Sequence, residues 1–125
     1  MGLEGRDLVS ILDLSRREVE ELFKVARAME ERPRDFHGLL KGCVLATLFF
    51  EPSTRTRLSF EAAMKRLGGS VIGFAGVEAT SMMKGESFDD TVRVVDSYCD
   101  VMAVSYTHLR AHETEADLVC RLLLE

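Results

Sequence analysis

The sequence predicts an α/β fold, a three-layer domain in which a parallel sheet is flanked by helices, and three observations point there. Residues 43–50 read Cys-Val-Leu-Ala-Thr-Leu-Phe-Phe without alternation, as a strand buried on both faces does. Helical and extended patterns then follow one another along the chain, as right-handed βαβ units require. The first strand also passes into its helix through a tight polar turn, residues 51–57, so that strand, turn and helix come in that order.

The first helix opens on Ser15-Arg16-Arg17-Glu18, a capping-box pattern, and continues with Val19, Leu22, Phe23, Ala26 and Met29 at helical spacing. This is an amphipathic helix laid on another layer, and the polar stretch Arg32-Pro33-Arg34-Asp35 ends it. After the buried strand, Phe60, Ala63, Met64 and Leu67 mark the apolar face of a second helix, closed by Gly68-Gly69. Residues 70–74 and 101–104 are two further short apolar runs. The helix between them, residues 88–99, has Phe88, Val92, Val95 and Cys99 as its buried stripe. The connection over residues 75–86 is longer than a link needs to be, which marks it as functional or mobile.

A chain of 125 residues, with 46% hydrophobic residues and charges of both signs throughout, supplies one core and one domain. A formal net charge of −5 argues against a nucleic-acid surface, which needs a basic stripe. No apolar run approaches the roughly 20 residues needed to span a bilayer. Glu4 and Asp7 stand where a signal peptide would be basic and then apolar, so neither membrane nor export is expected and a cytoplasmic location is. Cys43, Cys99 and Cys120 form no CxxC pair and predict reduced, buried thiols.

Chemistry concentrates at residues 53–57. Three hydroxyl residues and two arginines, placed where a strand hands over to a helix, gather O–H donors, guanidinium forks and free backbone N–H groups around one point. Such a point binds phosphate, and it lies at the carboxyl end of a parallel strand, where open α/β sheets take their ligands. Neither GxxxxGK[ST] nor GxGxxG is present. The plain alternative is that Ser53 or Thr54 caps the helix while Arg55 and Arg57 face solvent.

The run Phe49-Phe50-Glu51-Pro52-Ser53-Thr54-Arg55-Thr56-Arg57-Leu58-Ser59-Phe60-Glu61 resembles the carbamoyl-phosphate signature of the aspartate and ornithine carbamoyltransferases. The likeness continues through Leu67-Gly68-Gly69-Ser70-Val71-Ile72-Gly73-Phe74, Lys84-Gly85-Glu86-Ser87 and Asp90-Thr91-Val92-Arg93-Val94-Val95. It covers roughly residues 8–104. The resemblance implies the N-terminal, carbamoyl-phosphate-binding domain of that family, and transfer of a carbamoyl group from carbamoyl phosphate to L-aspartate in pyrimidine biosynthesis. It implies no cofactor and no metal. It also implies a homotrimer for the intact chain and leaves regulatory subunits open.

Carried over by position, Ser53, Thr54, Arg55 and Thr56 would hold the phosphate, with Thr56 also near the carbamoyl oxygen. Arg55 would stabilise charge on the departing phosphate, by positioning and electrostatics rather than by a protein nucleophile. Arg57 and Glu61, one turn apart, would pair and orient the site. Glu51 resembles the residue that helps hold two domains closed. Ser81 and Lys84 match residues that the long loop lends to a neighbouring subunit's site, although Thr80 is an alternative to Ser81; catalysis would rest on Arg55, Thr56 and Lys84. Lys84 favours aspartate, because ornithine carbamoyltransferases generally lack a lysine there; ornithine transfer is the second choice.

The resemblance thins after Val104. The family continues into Arg-His-Pro, whereas this sequence reads Ser105-Tyr106-Thr107-His108-Leu109-Arg110. The expectation is an incomplete binding domain over residues 1–104, inactive by itself, followed by a non-native tail over residues 105–125. Leu118, Val119, Leu122, Leu123 and Leu124 would form a short helix over an exposed sheet face, or promote aggregation. His108 and His112 stand four apart without an HExxH motif and are read as exposed side chains, not metal ligands. Two other classes remain: a native, non-catalytic phosphate-binding module, and an inert fragment.

Overall fold

In a computed structural model of the chain, residues 2–50, 53–76, 84–106 and 117–122 are described, with residues 106 and 117–122 described by their backbone alone. Five strands form one sheet: β1 (Asp7–Leu8), β2 (Val44–Phe49), β3 (Ser70–Ala75), β4 (Val101–Tyr106) and β5 (Asp117–Leu122), in the order β1-β5-β4-β2-β3. Three helices accompany it: α1 (Arg16–Glu31), α2 (Thr54–Arg66) and α3 (Phe88–Asp96).

The parallel sheet predicted from the unbroken apolar run is present. β2 lies between β3 and β4 and pairs in parallel with both, Thr47 standing opposite Gly73 on one side and Ala103 on the other. Its position explains its composition, since residues 45–50 are all buried. Successive side chains alternate between the two faces, and each face has its own helix. Leu45 and Ala103 pack with Met64 of α2, joined by Phe60, Val71 and Cys43. Ala46, Leu48, Phe50, Met102 and Val104 pack on the other side, against Phe88, Val92, Val95 and Cys99. Phe88, Val92 and Val95 of the predicted stripe are used as expected, but the helix, expected over residues 88–99, ends at Asp96, and Cys99 joins the cluster from beyond its end. Phe50 adds an edge contact with Phe74, ring centroids 5.1 Å apart.

Helix ends follow the sequence signals. Ser15 accepts from the Glu18 N–H at 3.1 Å, and Glu18 accepts from the Ser15 N–H at 2.9 Å, which completes the capping box of α1. At the end of α2, the Gly69 N–H reaches the Met64 carbonyl and the Gly68 N–H that of Lys65. This paired closure places Gly68 at φ +93°, where a side chain would be strained and would meet the His37 carbonyl.

Several expectations change. Phe23 is 68% exposed and Ala26 is exposed; α1 has no fully buried residue. Its inner face, with Val19, Leu22, Val25 and Met29, is half-buried, and near its N-terminal end Glu18 pairs with Arg6. Ala63 also faces outward on α2. Cys43 and Cys99 form no disulfide but are half-buried rather than buried. The tail forms no helix over the described residues 117–122: their backbone is β5, antiparallel to both β4 and β1. Alternation predicts this better than apolar content does, since Asp117, Val119 and Arg121 interleave with Leu118, Cys120 and Leu122. The remaining tail side chains, His108 and His112 among them, lie outside the described residues. Among the described residues no helix is long and apolar enough to cross a membrane.

Candidate anion site at the start of α2

β2 delivers the chain to the carboxyl edge of the sheet, and α2 begins there. Ser53 occupies the N-cap position with φ −143° and ψ 87°, but its side chain makes no capping hydrogen bond. α1 and α3 differ. Ser15 caps α1 and Ser87 caps α3, the latter accepting from the Asp90 N–H at 3.1 Å. Both also carry acids in the first turn, Glu18 in one and Asp89 with Asp90 in the other, where negative charge complements the helix dipole. The first turn of α2 has no acid and carries Arg55 and Arg57 instead.

The alternative in which Ser53 caps the helix therefore fails. Hydroxyl and N–H donors stand at a positive helix end without the internal acceptor that the other two helices possess, an arrangement that suits an external anion. Ser53 and Thr56 are half-buried, whereas Thr54 and Arg55 are exposed. Among the described residues, no hydrogen bond or ion pair engages the side chains of Ser53, Thr54, Arg55 or Thr56.

The two arginines are not equivalent. Arg57 Nη1 lies 3.1 Å from Glu61 Oε2, as their one-turn spacing predicts. The same carboxylate oxygen accepts from the Thr47 hydroxyl at 3.1 Å, which fastens the pair to the middle of β2. Nothing in the local pattern at Thr47 announces this contact; only its place as a polar residue inside an apolar run hints at it. Gly73, opposite Thr47, has φ +146°, and a Cβ there would stand 2.6 Å from Thr47 Oγ1 and still nearer its carbonyl oxygen.

Lys84 is exposed and stands just before α3. Buried Thr91 anchors this stretch, its hydroxyl 2.6 Å from Glu86 Oε1 and 3.1 Å from the Ser87 carbonyl. Among the described residues no hydrogen bond or ion pair joins Lys84 to residues 53–56. Glu51, Thr80 and Ser81 lie outside the described residues.

Fold and turn together define an α/β domain with an anion-receptive helix start at the carboxyl edge of its sheet. The family described as aspartate/ornithine carbamoyltransferase, carbamoyl-P binding domain, matches residues 6–119, which runs past Val104. This chain belongs to that family. It is 52% identical over 114 residues to the aspartate carbamoyltransferase catalytic subunit of Pyrobaculum neutrophilum, covering 91% of this chain and 38% of that protein. A Trypanosoma cruzi aspartate transcarbamoylase, solved with carbamoyl aspartate and phosphate, superposes with a TM-score of 0.75 at 44% identity, over 82% of this chain and 33% of that one. The catalytic subunit of the M. jannaschii enzyme gives 0.72 at 48% identity, over 78% and 33%. The chain thus spans little more than a third of the length of these relatives.

Proposed function

We propose that this chain is the carbamoyl-phosphate-binding part of an aspartate carbamoyltransferase. The observation that carries the reading is the uncapped start of α2, where the side chains of Ser53, Thr54, Arg55 and Thr56 meet no anionic partner among the described residues. Its partners would be carbamoyl phosphate and L-aspartate, the intact protein a cytoplasmic homotrimer. The names and ligands of the relatives support aspartate as the acceptor.

In the proposed reaction the acceptor's amine nitrogen attacks the carbamoyl carbon. A C–N bond forms, the C–O bond to the phosphate breaks, and phosphate leaves with the electron pair while the amine gives up a proton. Ser53, Thr54 and the first N–H groups of α2 would fix the phosphoryl oxygens. Arg55 would stabilise the charge that gathers on them, and Thr56 would donate to the carbamoyl oxygen. Lys84, with Ser81, would act on a neighbouring subunit's site. Residues 1–104 would form the binding domain, incomplete here, and residues 105–125 would be a non-native tail whose residues 117–122 nonetheless pair with the sheet as β5; the absence of Arg-His-Pro after Val104 supports this reading.

The test is titration of the chain with carbamoyl phosphate and with inorganic phosphate, followed by amide chemical shifts. Shifts centred on residues 53–57 are expected. Their absence, with the chain folded, overturns the site. In a chain extended to the relatives' length, carbamoyl transfer to aspartate in preference to ornithine decides the acceptor. Independently cloned DNA that stops after codon 125 would favour a short native module instead.

A further inference from the structure

We infer that Thr47 is a positioning residue for the anion site, an inference that rests on the function proposed above. Thr47 lies in the central strand and is 1% exposed, so its hydroxyl needs a partner inside the protein. It finds one in Glu61 Oε2, which also receives Arg57 Nη1, both at 3.1 Å.

The consequence is a division of labour within one helical turn. Arg57 and Glu61 are both mostly buried, their side chains 32% and 19% exposed, and their charges cancel locally. Arg55, two positions earlier and exposed, keeps its full charge for an external anion. Without the anchor on β2, the pair would keep only its own one-turn contact and lose its hold on the sheet. Arg57 stands beside Arg55 and Thr56 at the start of α2, so its guanidinium is aimed there only as firmly as the Glu61 carboxylate is held. Thr47 holds that carboxylate down against the sheet.

Gly73 supports the same arrangement. It is the β3 residue paired with Thr47, and any side chain would enter the space around the Thr47 hydroxyl and backbone. The network is therefore held from β2, from β3 and from α2, whereas its output is the aim and charge of the helix start.

Thr47→Val keeps volume and branching while removing the hydroxyl, and Thr47→Ser keeps the hydroxyl. In a chain extended to the relatives' length, Thr47→Val is expected to lower kcat for carbamoyl transfer roughly tenfold and to weaken inorganic phosphate binding severalfold. Thr47→Ser is expected to restore both to within about twofold. A Thr47→Val protein that is less stable but unchanged in kcat and phosphate affinity overturns the inference. Should that variant not fold, Thr47→Ala, which also removes the hydroxyl, tests the same link, and an unchanged kcat and phosphate affinity overturn it equally. If the unsubstituted chain takes up no phosphate at residues 53–57, the site itself fails, and this inference falls with it.

Discussion

The hydroxyl of Thr47, in the middle of the central strand, donates to Glu61 on the helix above it across 3.1 Å. Two polar side chains meet inside a layer otherwise filled by Leu45, Phe60 and Met64. A buried hydroxyl without a partner costs roughly 1–3 kcal/mol, so the contact fixes α2 against β2 as well as serving the site.

Gly73→Ala places a methyl group against Thr47 in a backbone conformation that side chains rarely adopt. The variant is expected to lose about 1–3 kcal/mol of stability, read from the urea midpoint. A midpoint equal to that of the parent chain would show that β3 can shift away from Thr47 at no cost.

The N-cap serines of α1 and α2 should respond differently. Ser15→Ala removes a working cap and should cost about 1 kcal/mol. Ser53→Ala removes a hydroxyl that caps nothing, so stability should change by no more than about 0.5 kcal/mol while phosphate binding weakens. Equal destabilisation by both substitutions would mean that Ser53 serves its helix after all.

Arg55→Ala in an extended chain should lower kcat by about two to three orders of magnitude, the scale seen when a donor to developing charge is removed. The residue is exposed, so the thermal midpoint should barely move. Unfolding of this variant would count against a ligand role.

Lys84→Ala chains mixed with Arg55→Ala chains should recover activity that neither has alone, because Lys84 is proposed to act in a neighbouring site. Recovery requires mixed trimers in which one intact site draws on two chains. Failure of well-mixed trimers to regain activity would remove Lys84 from the shared site.

Glu18 supplies a pH dependence. The Ser15 N–H, donating to its carboxylate, holds its pKa below the ordinary value of 4.5; burial opposes this in part, and Arg6 adds to the lowering. A depressed folded-state value means that the stabilisation is complete above 4.5 and is lost as pH falls through the depressed value. The stability difference between the parent and Glu18→Gln should therefore be constant near neutrality and shrink under acid. A difference that stays constant down to the acid limit would separate Glu18 from acid sensitivity.

Much of this protein was legible in the residues. The unbroken run at residues 43–50 announced a central strand of a parallel sheet because both of its faces are buried. Ser15 with Glu18, and the Gly68-Gly69 pair, marked helix ends because capping is a local matter of a few hydrogen bonds. The stripe of α3 was readable because helical spacing repeats within one element. Phe23 and the tail were less so. Exposure of Phe23 depends on which elements reach α1, and the pairing of β5 depends on a distant strand edge at β4.

The sequence by itself determined the alternation of strands and helices over residues 15–104, the cluster of hydroxyl and guanidinium groups at residues 53–57, and the family likeness they carry. Those are properties of neighbours along the chain. Only the tertiary structure decided that Ser53 leaves its helix uncapped, that the Arg57–Glu61 pair is fastened to Thr47 on the central strand, and that Thr47 and Gly73 stand face to face. These relations join residues far apart in the chain, and they exist only once β2, β3 and α2 have packed and burial has forced each polar group to find its partner.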